Sequence, residues 1–281
     1  MTQITPVEYK TPDGLTLRGD VGGTPGAPTL VMIHGGGQTR NSWSRAMKHL
    51  IEKGYYVVNY DARGHGDSDW APNGEYNVIT MGSDLRAVLA TISGPVAIIG
   101  ASMSGLSAFY AIGVAERPIA NALVLADIVI SPAEEGTART RAFMLAHQDG
   151  FATLEEAAEA IASYTGHKRS GNLEGLRRNL RLRDNGRLYW HWDARLLDMD
   201  LPARRVLMHE VAPKVTLPVM LVRGGKSVVT NDANVAEMKQ FVPQLEVQVI
   251  PNAGHMITGD DNETFAVGID DFLRRHLRAA K

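Results

Sequence analysis

The chain contains no cysteine. Disulfides, a thiol nucleophile and thiolate metal sites are therefore excluded, and the lack of disulfides fits the cytoplasm. There is no excess of charge of either sign: 29 basic and 31 acidic residues leave a formal net charge of −2. That balance gives no electrostatic reason to expect nucleic acid or an anionic membrane as a partner. No stretch approaches the roughly 18 consecutive apolar residues that suggest a membrane-spanning helix. Residues 1–14, polar and carrying Glu8, Lys10 and Asp13, have no apolar run of the signal-peptide kind. Internal repeats and low-complexity tracts are absent too, and aromatics make up only 6% of the chain. The expected setting is cytoplasmic and the expected partner a small-molecule substrate. Homodimer formation stays open.

What is present is an alternation of short apolar runs and helical stretches. Thr29–Ile33, Tyr55–Tyr60, Pro95–Gly100, Ala122–Ala126, Leu217–Val222 and Leu245–Ile250 read as strands. They are apolar without alternation, as a parallel sheet covered on both faces requires. Asn41–Lys53 (Asn41 as N-cap), Thr80–Ile92, Leu106–Ala115, Asp232–Phe241 and Ile269–Leu277 read as helices. This is the signature of the α/β class, a mostly parallel central sheet flanked by helices. From Ser131 to Val211 the rhythm breaks into helical pieces with no convincing strand. The expected organisation is a core of residues 1–130 and 212–281 interrupted by a helical cap, 131–211, over a pocket at the sheet edge.

Three segments carry chemistry. Gly100-Ala-Ser102-Met-Ser-Gly105 follows a strand and opens a helix, the context of a nucleophile elbow that presents a serine oxygen at the carboxyl edge of a sheet. Its glycine is delayed to position 105, with Ser104 where glycine is commoner. His34-Gly-Gly-Gly37 follows an earlier strand. Glycines there let the backbone aim a free N–H at a pocket, so Gly36 and Met103 are the expected oxyanion donors. Asn252-Ala-Gly-His255 follows the last strand, where a serine-first triad places its base. Of the other histidines, His34 goes with the oxyanion loop and His65 with a turn.

These segments, with Asp61-Ala-Arg-Gly-His-Gly-Asp-Ser68 and Leu221-Val-Arg-Gly-Gly225, resemble the α/β-hydrolase superfamily. The likeness is to its capped branch, which includes epoxide hydrolases, haloperoxidase-like esterases and carbon–carbon bond hydrolases. It implies an α/β-hydrolase fold and a cofactor-independent enzyme with no metal. Ser102 in place of the aspartate used by epoxide hydrolases implies acyl chemistry on an ester, a lactone or a carbon–carbon bond beside a carbonyl.

The resemblance also implies an acid after the strand ending Val-Arg-Gly-Gly, where the chain instead has Lys226-Ser-Val228. Asp127, after an earlier strand, is the favoured substitute, Asp232 the second choice, and no acid the third. Asp260 and Asp261 read as the start of the last helix. The absent acid motivates an alternative, a lyase, cyclase or cofactor-free oxygenase on the same fold; an inactive binding protein is a further alternative, against which the retained Ser102 and His255 argue. In the cap, Tyr189, Trp190, His191 and Trp192 are candidates for a substrate wall, or equally for anchoring the cap. Met103, Met144, Met199 and Met208 suit an adaptable apolar pocket or ordinary core filling. A mostly apolar substrate with one carbonyl is expected.

Overall fold

The computed structural model of the chain describes residues 3–166, 173–255 and 262–277. An eight-stranded sheet runs through it in the order β1-β2-β4-β3-β5-β6-β9-β10. Its strands are β1 (Ile4–Lys10), β2 (Thr16–Gly22), β3 (Thr29–Ile33), β4 (Tyr56–Tyr60), β5 (Val96–Ala101), β6 (Ala122–Ala126), β9 (Val219–Gly224) and β10 (Leu245–Ile250). From β4 to β10 the neighbours are parallel. The first two strands, invisible to the apolar pattern because β1 is a half-exposed edge strand and β2 (Thr-Leu-Arg-Gly-Asp-Val-Gly) has no apolar run, add an antiparallel hairpin.

The central strands are buried along their whole length because helices cover both faces. Successive strand residues point to opposite sides, so β3 divides its side chains. Leu30 and Met32 pack with Trp43, Leu50, Phe265 and Phe272 from α1 (Ser44–Glu52) and its surroundings and from the terminal helix α9 (Asn262–His276). Val31 and Ile33 pack with Leu85, Leu106 and Met238 from α2 (Val78–Leu89), α3 (Ser102–Gly113) and α8 (Asp232–Phe241). Helix boundaries depart from the expected ones at their starts. Asn41 is no helix cap but lies in a 3₁₀ turn, Arg40–Trp43, ahead of α1. The second helix begins at Val78, where Asn77 and Thr80 form a reciprocal capping box that satisfies orphan first-turn N–H groups.

Between β6 and β9 the chain forms α4 (Glu134–Leu145), α5 (Leu154–Thr165), α6 (Glu174–Arg177) and α7 (Leu201–Val211). It is not purely helical: β7 (Leu180–Leu182) and β8 (Leu188–Trp190) pair as an antiparallel hairpin. These strands are too short for a periodic pattern to reveal. The legible signal was the turn, Asn185-Gly186, with Gly186 at φ +75°, a dipeptide that favours tight hairpins. Residues just after β8 are stitched to the core. Gly66 donates to the His191 carbonyl (2.8 Å) and Asp193 N–H to the Gly64 carbonyl (2.8 Å). Among the described residues no helix is long and apolar enough to cross a membrane.

Candidate active site

The carboxyl ends of β3, β5 and β6, neighbours in the sheet, carry the pieces of one site. At the end of β5 the chain turns directly into α3, which forces Ser102 to φ +46°, a left-handed conformation costly for a residue with a Cβ. The turn requires strand and helix to touch. A Cβ on Gly100 would lie 2.7 Å from the Cα of Gly105, and one on Gly105 would lie 2.8 Å from the Gly100 carbonyl oxygen. Glycine is thus needed at 105, and Ser104 fits buried beside it. Met103, second residue of α3, has no intrahelical acceptor for its N–H.

The loop after β3 is held open by two histidines. His34 Nδ1 donates to the Gly35 carbonyl (2.8 Å) and its Nε2 accepts the Ala62 N–H (3.0 Å). His65 Nδ1 donates to the Arg63 carbonyl (3.0 Å) and its Nε2 accepts the Gly37 N–H (3.2 Å). Burial pushes the His34 pKa down to about 4, and burial together with nearby His34 pushes His65 down to about 3, so both rings are neutral near pH 7. Gly35 N–H goes to the Gln38 side chain (3.1 Å). Gly36 N–H takes part in none of these bonds and stays available. His65, which the sequence consigned to a turn, is therefore a positioning residue for the glycine loop.

The carboxylate that meets His255 is Asp127. Its Oδ2 lies 2.7 Å from His255 Nδ1. Oδ1 accepts from Gly224 N–H (3.0 Å) and the Thr230 hydroxyl (2.5 Å), and Oδ2 also accepts from the Ser227 hydroxyl (2.5 Å). Every contact uses the carboxylate as acceptor, so His255 donates through Nδ1 and leaves Nε2 to accept. Asp127 stands at φ +49°; it and Ser102 are the non-glycine residues with positive φ among those described. Asp232 does not reach the site. It pairs with Arg223 (2.5 Å), and its side chain is 98% exposed against 1% for Asp127. Val228 sits between Ser227 and Thr230, both missed by the sequence reading, so the loop that lacks its own acid holds the acid of the neighbouring strand. Asp260 and Asp261 lie outside the described residues.

Ser102 and His255 open into a cavity of about 150 Å³. Gly36 and Met103 line it, and residues from between β6 and β9 form more than half of its wall. Of the aromatic cluster, Trp190 and Trp192 line the cavity and Tyr189 and His191 do not, a correction to the expectation of four wall residues. In an extended segment alternate residues share a face. Tyr189 instead stacks under Arg183 (4.0 Å) and takes a hydrogen bond from Asn185, while His191 meets Arg181 (2.6 Å). Met103, Met144 and Met199 also line the cavity, whereas Met208 is buried in the core.

The profile of the Alpha/beta hydrolase family matches residues 30–267. The chain belongs to the α/β-hydrolase family. As a member it is similar to the esterase Rv0045c of Mycobacterium tuberculosis, 28% identical over 242 residues, covering 83% of this chain and 78% of that one. It is also similar to the mouse sn-1-specific diacylglycerol lipase ABHD11, 26% identical over 255 residues, with 88% and 81% covered. A solved α/β hydrolase from Novosphingobium aromaticivorans superposes with a TM-score of 0.78 at 22% identity, covering 98% of this chain and 99% of that one. The family assignment makes the chain an enzyme of the hydrolase class.

Proposed function

We propose that the chain is a cofactor-independent serine hydrolase of small-molecule esters or lactones. Ser102 Oγ attacks the carbonyl carbon while His255 Nε2 takes its proton, and Asp127 orients the ring and stabilises the imidazolium. The oxyanion forms between the N–H groups of Gly36 and Met103. Collapse expels the alcohol, which leaves with the proton from His255. Water, deprotonated by the same nitrogen, then attacks the acyl-serine, and Ser102 departs with that proton.

One observation carries the reading: Ser102, His255 and two backbone donors line a single cavity, with the Asp127 carboxylate 2.7 Å behind the histidine. Left-handed backbone at Ser102 and Asp127 supports it, since such strain gathers where function over-determines geometry. The segment 131–211 acts as the cap over this cavity, and the protein works in the cytoplasm. The lyase, cyclase and oxygenase alternative drew on the absent acid at Val228, and the Asp127 contact with His255 weighs against it; the retained Ser102 and His255 weigh against an inactive binder. A fluorophosphonate probe tests the reading. We expect a covalent adduct on the intact protein that vanishes in Ser102→Ala. No adduct on the wild type defeats the proposal.

A further inference from the structure

The cavity wall is apolar in large part, yet it carries two arginines, Arg141 and Arg204, with no carboxylate among the described lining residues. Arg141, on α4, is exposed at the rim and spends its Nε on the Leu197 carbonyl (3.3 Å). Arg204, on α7, is half-buried, and no described acid pairs with it. The nearby acids are committed elsewhere. Glu134 and Glu237 face the neighbouring Arg205 (3.7 Å each), and Asp200 caps α7 through the Ala203 N–H (2.9 Å). Burial pushes the Arg204 pKa down. A guanidinium keeps its charge regardless, and a partly buried charge left unpaired is costly. A guanidinium with no described acid beside it, in a wall otherwise built for apolar contact, is what an incoming anion satisfies.

Building on the serine-hydrolase reading, we infer that Arg204, with Arg141 at the rim, forms a subsite for an ionised carboxylate carried by the substrate. The substrate class is then an ester or lactone with a second, free carboxyl group, in place of the mostly apolar molecule that the aromatic cluster and the methionines suggest. A carboxylate matches the planar two-donor fork of one guanidinium. A phosphate dianion asks for more donors than Arg204 and a partly engaged Arg141 offer.

The test compares para-nitrophenyl hexanoate with the mono-para-nitrophenyl ester of adipic acid, equal in chain length and different in the terminal carboxylate. Expected is a preference of about 10-fold or more in kcat/KM for the adipate ester, carried mainly by KM and weakened by salt. Arg204→Gln should remove most of that preference by lowering kcat/KM for the adipate ester far more than for the hexanoate ester, and an undiminished fluorophosphonate adduct on Ser102 shows that the variant is folded. Arg204→Lys should restore part of it and Arg141→Gln should lose less than Arg204→Gln. Equal rates of wild type on both esters, or equal losses on both in Arg204→Gln, overturn the subsite alone, provided the fluorophosphonate adduct on Ser102 forms. Preference for a phosphonate-terminated ester of the same length overturns the carboxylate assignment. No adduct and no hydrolysis of either ester overturns the serine-hydrolase reading itself.

Discussion

Asp127, at the end of β6, and His255, on the loop after β10, meet at 2.7 Å across 128 positions of sequence. The sheet explains how. Strands β6 and β9 are parallel neighbours with Ala126 opposite Val222, so a carboxylate just past β6 stands one strand away from where an acid past β9 would stand. The histidine loop is brought to it by close packing. A Cβ on Gly224 would lie 2.5 Å from the carbonyl oxygens of Ala253 and Gly254, and one on Gly225 would lie 2.6 Å from that of Pro251.

Replacing the two candidate acids should separate them. Asp127→Asn keeps one acceptor oxygen for Thr230 and Gly224 but presents a poor partner to the histidine. Its kcat on an aryl ester should fall by about 10⁴, as when a triad aspartate is replaced elsewhere. Asp232→Asn loses one exposed ion pair with Arg223, and its kcat should stay within about 2-fold of wild type. Steady-state kinetics of both variants decide the matter; equal and small losses defeat the role of Asp127.

The glycine loop should make stability pH-dependent. Burial lowers His34 and His65 from 6.5 to about 4 and about 3 in the fold. Between those values and 6.5 the unfolded chain binds protons that the folded chain does not, so stability rises with pH. The contribution is complete above about pH 6.5 and is lost as pH falls toward 4 and 3. His65→Gln should flatten the unfolding free energy measured between pH 6.5 and 4 by a few kcal/mol relative to wild type. Slopes that coincide for wild type and variant contradict this account.

Gly136 ties the segment after β6 to the acid-holding loop. A Cβ there would come 2.1 Å from the Val228 carbonyl oxygen, which is backbone and cannot swing aside. Gly136→Ala should destabilise by about 1–3 kcal/mol and lower kcat, because the displaced loop carries the Ser227 and Thr230 hydroxyls that hold Asp127. Gly175, with open space around its Cβ position, is the control: Gly175→Ala should be neutral or slightly stabilising. Denaturant midpoints of the two variants check the contrast.

Much of the site was readable because its parts are local. A serine in a strand–turn–helix junction, a glycine triplet after a strand and a histidine after the last strand each occupy a few consecutive residues, and each lines the cavity or its loop as that context requires. The β7–β8 hairpin escaped because six strand residues set no period, the edge strand β1 because a half-exposed strand lacks the apolar run of a buried one, and β2 because its buried positions are partly Gly, Thr and polar residues. Tyr189 and His191 were grouped with Trp190 and Trp192 by adjacency, although neighbours in an extended chain point to opposite faces.

The amino-acid sequence by itself determined the α/β architecture, the Ser102 turn and the histidine at position 255, since backbone preference and hydrophobic period act over short stretches. Only the tertiary structure decided which carboxylate reaches His255, how His34 and His65 hold the glycine loop, and that Arg204 lines the cavity wall with no described acid beside it. The reason is physical: hydrogen-bond partners and the pairing of charges are set by distances between residues far apart in the chain, and those distances exist only after the sheet has brought its strand ends together.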